Sequence, residues 1–548
     1  MKNALLSFIV AATCLLFFNY SQAQKDLKPY TFTHQNISYD VDQQILPALD
    51  VDELYKDDAL NSEKGTPLRI GVVRNVSYTF DNCGRTDILD NGAKLWRLTI
   101  KSEGAYMLNV FFKTFNIPEG ATFHIYSGDR SQLTGSYTNE DVQSNGVLAA
   151  DDILGDEATL EYYEPADVPF HGIIEVDRIS HIYRDVFKIN ENENDDRGHW
   201  GDAEGDCHIN VVCPEAQPWH DQASSVVCIV ITGSTGTYMC SGAMVNNVRE
   251  DRTPYCLTAN HCLDGTSSTF KFYFFYQTNT CSGTGGYFNR VCNGGEIKAR
   301  ASLNTSSDFM LLLLTGTLGQ VYRDSIVFAG WDASGAASAG VGIHHPGGDN
   351  KKISWVRSVT GSSTAKYWTA HWYTNPNRGV TEQGSSGSPL FNASGLIIGD
   401  LSNGSSACDY PQGTDNYGKI SYSWLNGGTY AASAKLQPWL DPDNTGTRIL
   451  RGINYNGTPA GIMDNASDIR TFGIQPNPTS GQVSVSGAFD SDEGTCLIYN
   501  AMGMLVGSYD VRLDAPFQLN LSNLPNGVYM MNIISGNHTF RSKLIITQ

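Results

Sequence analysis

Three short stretches decide how this chain is read: Tyr255-Cys256-Leu257-Thr258-Ala259-Asn260-His261-Cys262, Ser307-Asp308-Phe309-Met310-Leu311-Leu312-Leu313-Leu314, and Gly384-Ser385-Ser386-Gly387-Ser388-Pro389-Leu390. Each sets one chemically useful residue beside an apolar run. His261 follows a predicted strand, Asp308 opens one, and Ser386 sits in a Gly-rich turn ahead of a third. Taken singly, each has a plain structural reading: a His beside a Cys packs, an Asp caps a turn, a Gly-Ser-Ser-Gly stretch is a loop. Taken together, in one Cys-rich segment, they supply the parts of an activated nucleophile. A serine hydroxyl is weak at its free pKa and needs an imidazole to take its proton. The imidazole needs a carboxylate to fix its tautomer and stabilise its charged form. Glycines around the serine let the backbone turn tightly and aim N–H groups at a developing oxyanion.

The surrounding chain has 548 residues, so a common domain size of roughly 150 predicts three or four domains. At 41% hydrophobic it is ordinary globular material. With 57 acids against 37 bases the formal net charge is −20, which disfavours nucleic acid and anionic lipid as partners. The acidity is uneven: residues 24–204 hold 33 acids and 16 bases, residues 205–455 hold 17 and 16. Few charged residues, 54 Gly and abundant Tyr point to exported β-structure.

Met1–Ala23 reads as a secretory signal peptide: Lys2, the apolar run Leu5–Phe18, and the cleavage site Ser21-Gln22-Ala23. The run is too short to span a bilayer, and export permits disulfides. Residues 24–65 are polar with weak periodicity. Residues 66–187 alternate as strands, as in Leu95–Ile100, Leu108–Phe112 and Thr122–Tyr126, and predict a β-sandwich. The run Asn190-Glu191-Asn192-Glu193-Asn194-Asp195-Asp196 reads as part of a solvated linker, 189–204. Residues 205–455 hold nine Cys and many short strands, with one helix expected over Ala431–Leu440. A linker at 456–467 leads to a last β-unit, 468–548, expected to be a small β-sandwich.

The order His, Asp, Ser is that of the chymotrypsin arrangement. Thr258-Ala259-Asn260-His261-Cys262 and Gly384-Ser385-Ser386-Gly387-Ser388-Pro389 resemble the signature blocks of trypsin-like serine proteases. More narrowly, residues 205–455 resemble bacterial lysyl endopeptidases. The resemblance runs through Cys207-His208-Ile209-Asn210-Val211-Val212-Cys213-Pro214, Ala329-Gly330-Trp331-Asp332, Ile343-His344-His345-Pro346, Gly379-Val380-Thr381-Glu382 and Asp415-Asn416-Tyr417-Gly418. It implies a mostly β protein with a chymotrypsin-like double β-barrel. It implies His261 as general base, Asp308 as its orienting carboxylate, Ser386 as nucleophile, and the N–H groups of Gly384 and Ser386 as oxyanion hole. It also implies Asp415 as the carboxylate that selects a cationic side chain before the cut bond, and no cofactor.

The family's stacked aromatic and His near the site are less clear. The position matching that His is Ser402, and Trp368 and Trp372 are aromatic candidates only by proximity. Cleavage after Lys is thus the inherited expectation, and cleavage after both Lys and Arg is its alternative. Ser385 stands where animal trypsins carry the Asp that pairs with a newly cut N-terminus, so that switch cannot operate here. Disulfides are the natural candidates to hold the site instead. The resemblance implies Cys207–Cys408, Cys213–Cys281 and Cys240–Cys262; the first closes a loop worth about 5 kcal/mol in the chain-entropy picture. Cys228, Cys256 and Cys292 remain without an assigned partner: Cys228 with Cys256, or Cys292 in place of Cys281, are both open. No Cys/His spacing calls for a metal, and Asp441–Gly446 lacks the Glu of a calcium loop, so none is assigned.

Residues 24–204 are similar to the propeptides of this family, which implies a folding aid and inhibitor removed by cutting at Lys188 or Arg197. Residues 473–548, with Pro476-Asn477-Pro478-Thr479-Ser480-Gly481 and Leu524-Pro525-Asn526-Gly527-Val528-Tyr529, resemble the type IX secretion sorting domain of Bacteroidetes-type bacteria. That implies outer-membrane secretion machinery as a partner, and a released or surface-attached product. The whole reads as a secreted serine endopeptidase acting on proteins or peptides. The rival from another class is a catalytically silent surface adhesin on the same fold.

Overall fold

The computed structural model describes residues 28–186, 207–460 and 472–547, apart from 35–36, 39, 62–64, 143–145, 264–268, 284–285, 287–289, 305, 362–364, 426–430, 488, 490–491, 501–504 and 536–537. The leader peptide, the acidic run at 190–196 and both expected cleavage points, Lys188 and Arg197, lie outside these residues. No helix among the described residues is long and apolar enough to cross a membrane.

The N-terminal region packs two sheets. One carries Lys94–Lys101 between Glu157–Glu164 and the parallel strand Asp42–Ile45, and the other carries Ile173–Ile182 between Met107–Asn116 and Leu68–Thr79. Alternate residues of both sheets, among them Trp96, Leu98, Phe112, Phe123, Leu160 and Val176, meet in one buried core. The polar stretch before it contains a helix that its weak periodicity concealed, Val51–Leu60, capped by Asp50, whose Oδ1 accepts the Glu53 N–H at 3.0 Å.

The middle region contains two large sheets of short strands and a small one, Val327–Phe328, Gly452–Asn454 and Pro459–Ala460. The first runs in the order Val291–Asn293, Thr269–Phe274, Val226–Thr232, Gly236–Val245, Tyr255–Ala259, Phe309–Leu314, Gly295–Ala301. The second closes on itself: Pro389–Phe391, Val341–His344, Lys352–Thr360, Tyr367–Trp372, Thr414–Lys419 and Ile397–Gly404, with the last strand pairing back to the first. A core containing Leu257, Phe309 and Leu311 of the first sheet with Ile343, Ile353 and Phe391 of the second joins them. The single helix expected over Ala431–Leu440 is instead a 3₁₀ turn, Ala432–Ala434, and a short helix, Gln437–Leu440. Pro438 is the reason: with no N–H and a clash with the preceding turn, it starts a helix but does not continue one.

The C-terminal region packs Gly473–Gln475, Gln482–Ser486 and Phe517–Asn520 against the sheet Leu505–Arg512, Glu493–Asn500, Gly527–Ser535, His538–Ile546, over its own core.

The N-terminal and middle regions share a sheet. Leu68–Thr79 pairs antiparallel with Gly236–Val245, with Met239 opposite Leu68 and Gly236 opposite Val72. Beneath this seam Leu68, Ile70, Met107 and Ile182 pack on Val230, Met239, Tyr273 and Tyr276. Asp152 of the N-terminal region accepts hydrogen bonds from the buried Lys271 ammonium and from Tyr273. Removing one partner of a buried ion pair typically destabilises by about 3–5 kcal/mol. Asp152→Ala in the full chain, in a Ser386→Ala background, should therefore unfold at lower denaturant, with the two regions separating first. An unchanged midpoint would show that Asp152 is not a clamp.

Candidate active site

The strand Tyr255–Ala259 lies between Gly236–Val245 and Phe309–Leu314, and its end sets the geometry that follows. A 3₁₀ turn, Asn260–Cys262, carries His261, and the Asn260 N–H donates to the Asp308 carbonyl at 2.9 Å. Asp308 is fully buried and takes a positive φ of 65°. A non-Gly residue in that region is disfavoured by about 1–2 kcal/mol. The conformation accompanies a two-point grip on His261: Oδ1 accepts its backbone N–H at 3.0 Å, and Oδ2 accepts Nδ1–H at 2.7 Å. Ser402 Oγ donates to the same Oδ2 at 2.6 Å. With the Nδ1 proton directed at a carboxylate, Nε2 carries the lone pair. That nitrogen is buried and has no hydrogen-bond partner among the described residues.

Ser386 is 4% exposed and comes to this pair through the backbone. Its carbonyl accepts the Ser241 N–H at 2.8 Å and lies 3.8 Å from Sγ of Cys262, the neighbour of His261. Ser241 Oγ donates to the Gly384 carbonyl at 2.9 Å while accepting the His345 N–H at 2.9 Å. One strand residue thus fixes both ends of the turn. Gly384 and Gly387 have φ of 86° and 79°. A Cβ at Gly387 would stand 2.1 Å from Thr258 Oγ1, so only glycine fits between the turn bearing Ser386 and the His-bearing strand. The N–H groups of Gly384 and Ser386 find no acceptor among the described residues.

Asp415 is fully buried in the strand Thr414–Lys419. Oδ2 accepts three donors, Trp372 Nε1 at 2.8 Å, Thr381 Oγ1 at 2.6 Å and Ser406 Oγ at 2.5 Å, and Oδ1 accepts the Ser406 N–H at 3.2 Å. It ties the segment leading to the Ser386 turn to the segment that follows Ser402. Trp372 is therefore a hydrogen-bond partner of Asp415. Trp368 is buried with the Lys419 ammonium 3.7 Å above its ring. Ser402 serves Asp308, a role that its match to a specificity position did not foretell. Sequence reading also missed Ser241, whose role appears only when two distant segments meet.

The disulfides are Cys207–Cys408, Cys213–Cys281 and Cys240–Cys262. The third joins the strand that holds Ser386 to the residue after His261. Cys228, Cys256 and Cys292 are buried free thiols whose pKa burial pushes up. Neither open pairing for them forms. Asp441 uses its carboxylate to accept the Thr445 and Gly446 N–H groups, closing a turn.

The family model described as "Lysyl endopeptidase, C-terminal domain" matches residues 201–418, and the corresponding N-terminal domain matches residues 44–183. "Secretion system C-terminal sorting domain" matches residues 473–547. A lysyl endopeptidase of Pseudomonas aeruginosa is 26% identical over 380 residues, covering 65% of this chain and 79% of that protein. Among solved structures, the protease Anisep from Arthrobacter nicotinovorans shares 20% identity over 39% of this chain and 96% of its own, with a TM-score of 0.29. A Glu endopeptidase shares 16% over 41% and 95%, also at 0.29. The protein is an exported serine endopeptidase. It is lysyl endopeptidase-like in its N-terminal and middle regions and carries, in addition, a secretion sorting domain.

Behind the His261–Asp308 pair lies a second acid. Asp400 is buried, and neither carboxylate oxygen has a hydrogen-bond partner among the described residues. Burial, and then the charge of Asp308, raise its pKa well above the ordinary carboxylate value. The native state therefore holds a proton that the unfolded chain releases. The resulting stability is complete below the unfolded pKa of about 4 and falls as pH rises from there towards the raised native value. Asp400→Asn removes the titration. In a Ser386→Ala background, its thermal midpoint relative to the parent should rise between pH 4 and pH 7. A pH-independent difference would show that Asp400 titrates normally.

Proposed function

We propose that the enzyme hydrolyses peptide bonds after Lys in protein substrates, with Ser386, His261 and Asp308 as its catalytic residues. The observation that carries this is the His261 ring, held by Asp308 through Nδ1 and with a buried, unpartnered Nε2, in a turn whose next residue, Cys262, lies against the Ser386 carbonyl. Ser386 Oγ attacks the substrate carbonyl carbon as its proton passes to His261 Nε2. The unpartnered N–H groups of Gly384 and Ser386 receive the oxyanion; one such donor is typically worth about 10²–10³ in turnover. His261 then gives the proton to the departing amine, leaving an acyl-enzyme. Water, deprotonated by the same nitrogen, releases the acid and restores Ser386. Asp308, with Ser402 as a further donor, keeps the imidazole in the required tautomer and offsets its charge.

Asp415 supplies the choice of substrate. A desolvated carboxylate favours a cationic side chain in the adjoining site. The crowding of Oδ2 by three donors favours Lys over Arg. An arginine fork binds both oxygens of a carboxylate side by side, while an ammonium needs one point of contact.

The N-terminal region acts as the inhibitor of its own enzyme. Its residues Asp57, Asp58, Asn61 and Thr66, together with Arg69 and Arg184, face His261, Leu263 and Gln383 across a cavity of about 330 Å³. Gln383 Nε2 donates to Thr66 Oγ1 at 3.0 Å and the Asn61 carbonyl at 3.4 Å. A Cβ on Gly65 would lie 3.3 Å from Asn403 Cβ. The covered ground is where a substrate chain would run.

Paired peptide amides differing only in Lys or Arg before the cut bond test the reading. The mature enzyme should prefer Lys by at least about tenfold in kcat/KM, and Asp415→Asn should abolish that preference with a loss of about 10²-fold or more. Equal rates on the two substrates would establish broad trypsin-like cleavage instead. Unchanged kinetics in Asp415→Asn would remove that residue from the specificity site.

A further inference from the structure

Ser385 leaves the nucleophile turn without the acid that animal trypsins pair with a cut chain terminus, and the structure fills that gap with a side chain. His208 lies immediately after Cys207, whose disulfide to Cys408 anchors it on one side. On the other side Ile209–Asn210 pairs with Lys352–Ile353. The ring is only 2% exposed, and its Nε2 stands 2.7 Å from Glu382 Oε1. Glu382 belongs to the nucleophile turn: its N–H donates to Ser385 Oγ at 3.1 Å, and its carbonyl accepts the Ser385 N–H at 3.1 Å. Ser385 Oγ also meets His344 Nδ1 at 2.6 Å, while His344 Nε2 meets Ser354 Oγ at 2.9 Å, in the same strand and one residue past Ile353, the partner of Ile209. The chain of contacts runs unbroken from the start of the protease region to the residue before Ser386.

We propose that His208 is a positioning residue that, through Glu382, holds Gln383–Ser386 in the shape that presents the oxyanion-hole N–H groups. The inference rests on the proposed roles of Ser386, Gly384 and His261. Its consequence concerns latency. A trypsin-like turn forms only after cleavage frees an ammonium, but here the partner is a side chain fixed by a disulfide and a strand. The turn is therefore already built in the uncut precursor. Latency comes from the N-terminal region lying over the cleft, and removal of that region, rather than creation of a new terminus, releases activity.

The test compares kcat, KM and melting temperature of the secreted mature enzyme on a lysyl peptide amide for wild type, His208→Ala, His208→Gln and Glu382→Gln. Loss of a hydrogen bond that organises the oxyanion donors should lower kcat about 10- to 100-fold in His208→Ala, with KM within about threefold of wild type. Gln keeps an N–H donor and should restore kcat to within about fivefold. Glu382→Gln keeps volume and loses charge, so kcat should fall in it without a matching fall in melting temperature. Wild-type kcat in His208→Ala overturns the proposal, as does a loss confined to KM. So does a loss that follows melting temperature and is not rescued by Gln. If His208→Ala is not secreted, the two Gln variants decide: reduced kcat in Glu382→Gln with near-normal His208→Gln supports it, and wild-type kcat in both overturns it. A wild type that turns over nothing overturns the parent reading and this one together; an active wild type indifferent to His208 overturns only this one.

Discussion

A carboxylate with no exposure to water must be surrounded by donors or give up its charge, and much of this site follows from how Asp308 meets that condition. Its donors are the His261 backbone, the His261 ring and the Ser402 hydroxyl. They come from two stretches of chain, so the requirement draws the end of the His-bearing strand and the strand Ile397–Gly404 onto the head of Phe309–Leu314. Asp400, lying behind it without such donors, shows the other outcome, a carboxyl whose proton is retained. Asp308, at the head of a strand of one sheet, and Asp400, within a strand of the other, thus differ in their partners.

The same logic extends to the seam between precursor regions. A free strand edge offers unpaired N–H and carbonyl groups; Tyr255–Ala259 covers Gly236–Val245 only at Ala243–Val245, and the stretch Gly236–Met239 pairs instead with Leu68–Thr79. The contact is reinforced by apolar packing and by the Asp152–Lys271 pair. The net charge of −20 belongs mostly to the part that makes this contact, since residues 205–455 are nearly neutral. The acidity is thus a property of the N-terminal region, and it says little about what residues 205–455 by themselves can approach.

Much of this was legible in the sequence because the chemistry is carried by rare combinations. His261-Cys262, Ser307-Asp308 and Gly384–Pro389 each pair a reactive side chain with a strand or a glycine turn, and alternation marked Leu95–Ile100 and Leu108–Phe112 as strands. The failures have physical causes. Val51–Leu60 buries no residue completely, so it has no apolar stripe to read. Ala431–Leu440 looked continuous because Pro438 was given too little weight. Ser402, Ser241 and the His208–Glu382 contact join residues far apart in sequence, the last separated by 174 positions, and no local pattern announces such a meeting.

The central claim is that one serine among many is activated by one imidazole. Mass spectrometry of the mature secreted protein after treatment with a lysyl phosphonate ester tests it most directly. The account predicts a single adduct on Ser386 that disappears in His261→Ala. An adduct on another residue, or none on a correctly processed protein, would contradict it and leave a silent protease fold at the cell surface as the better description.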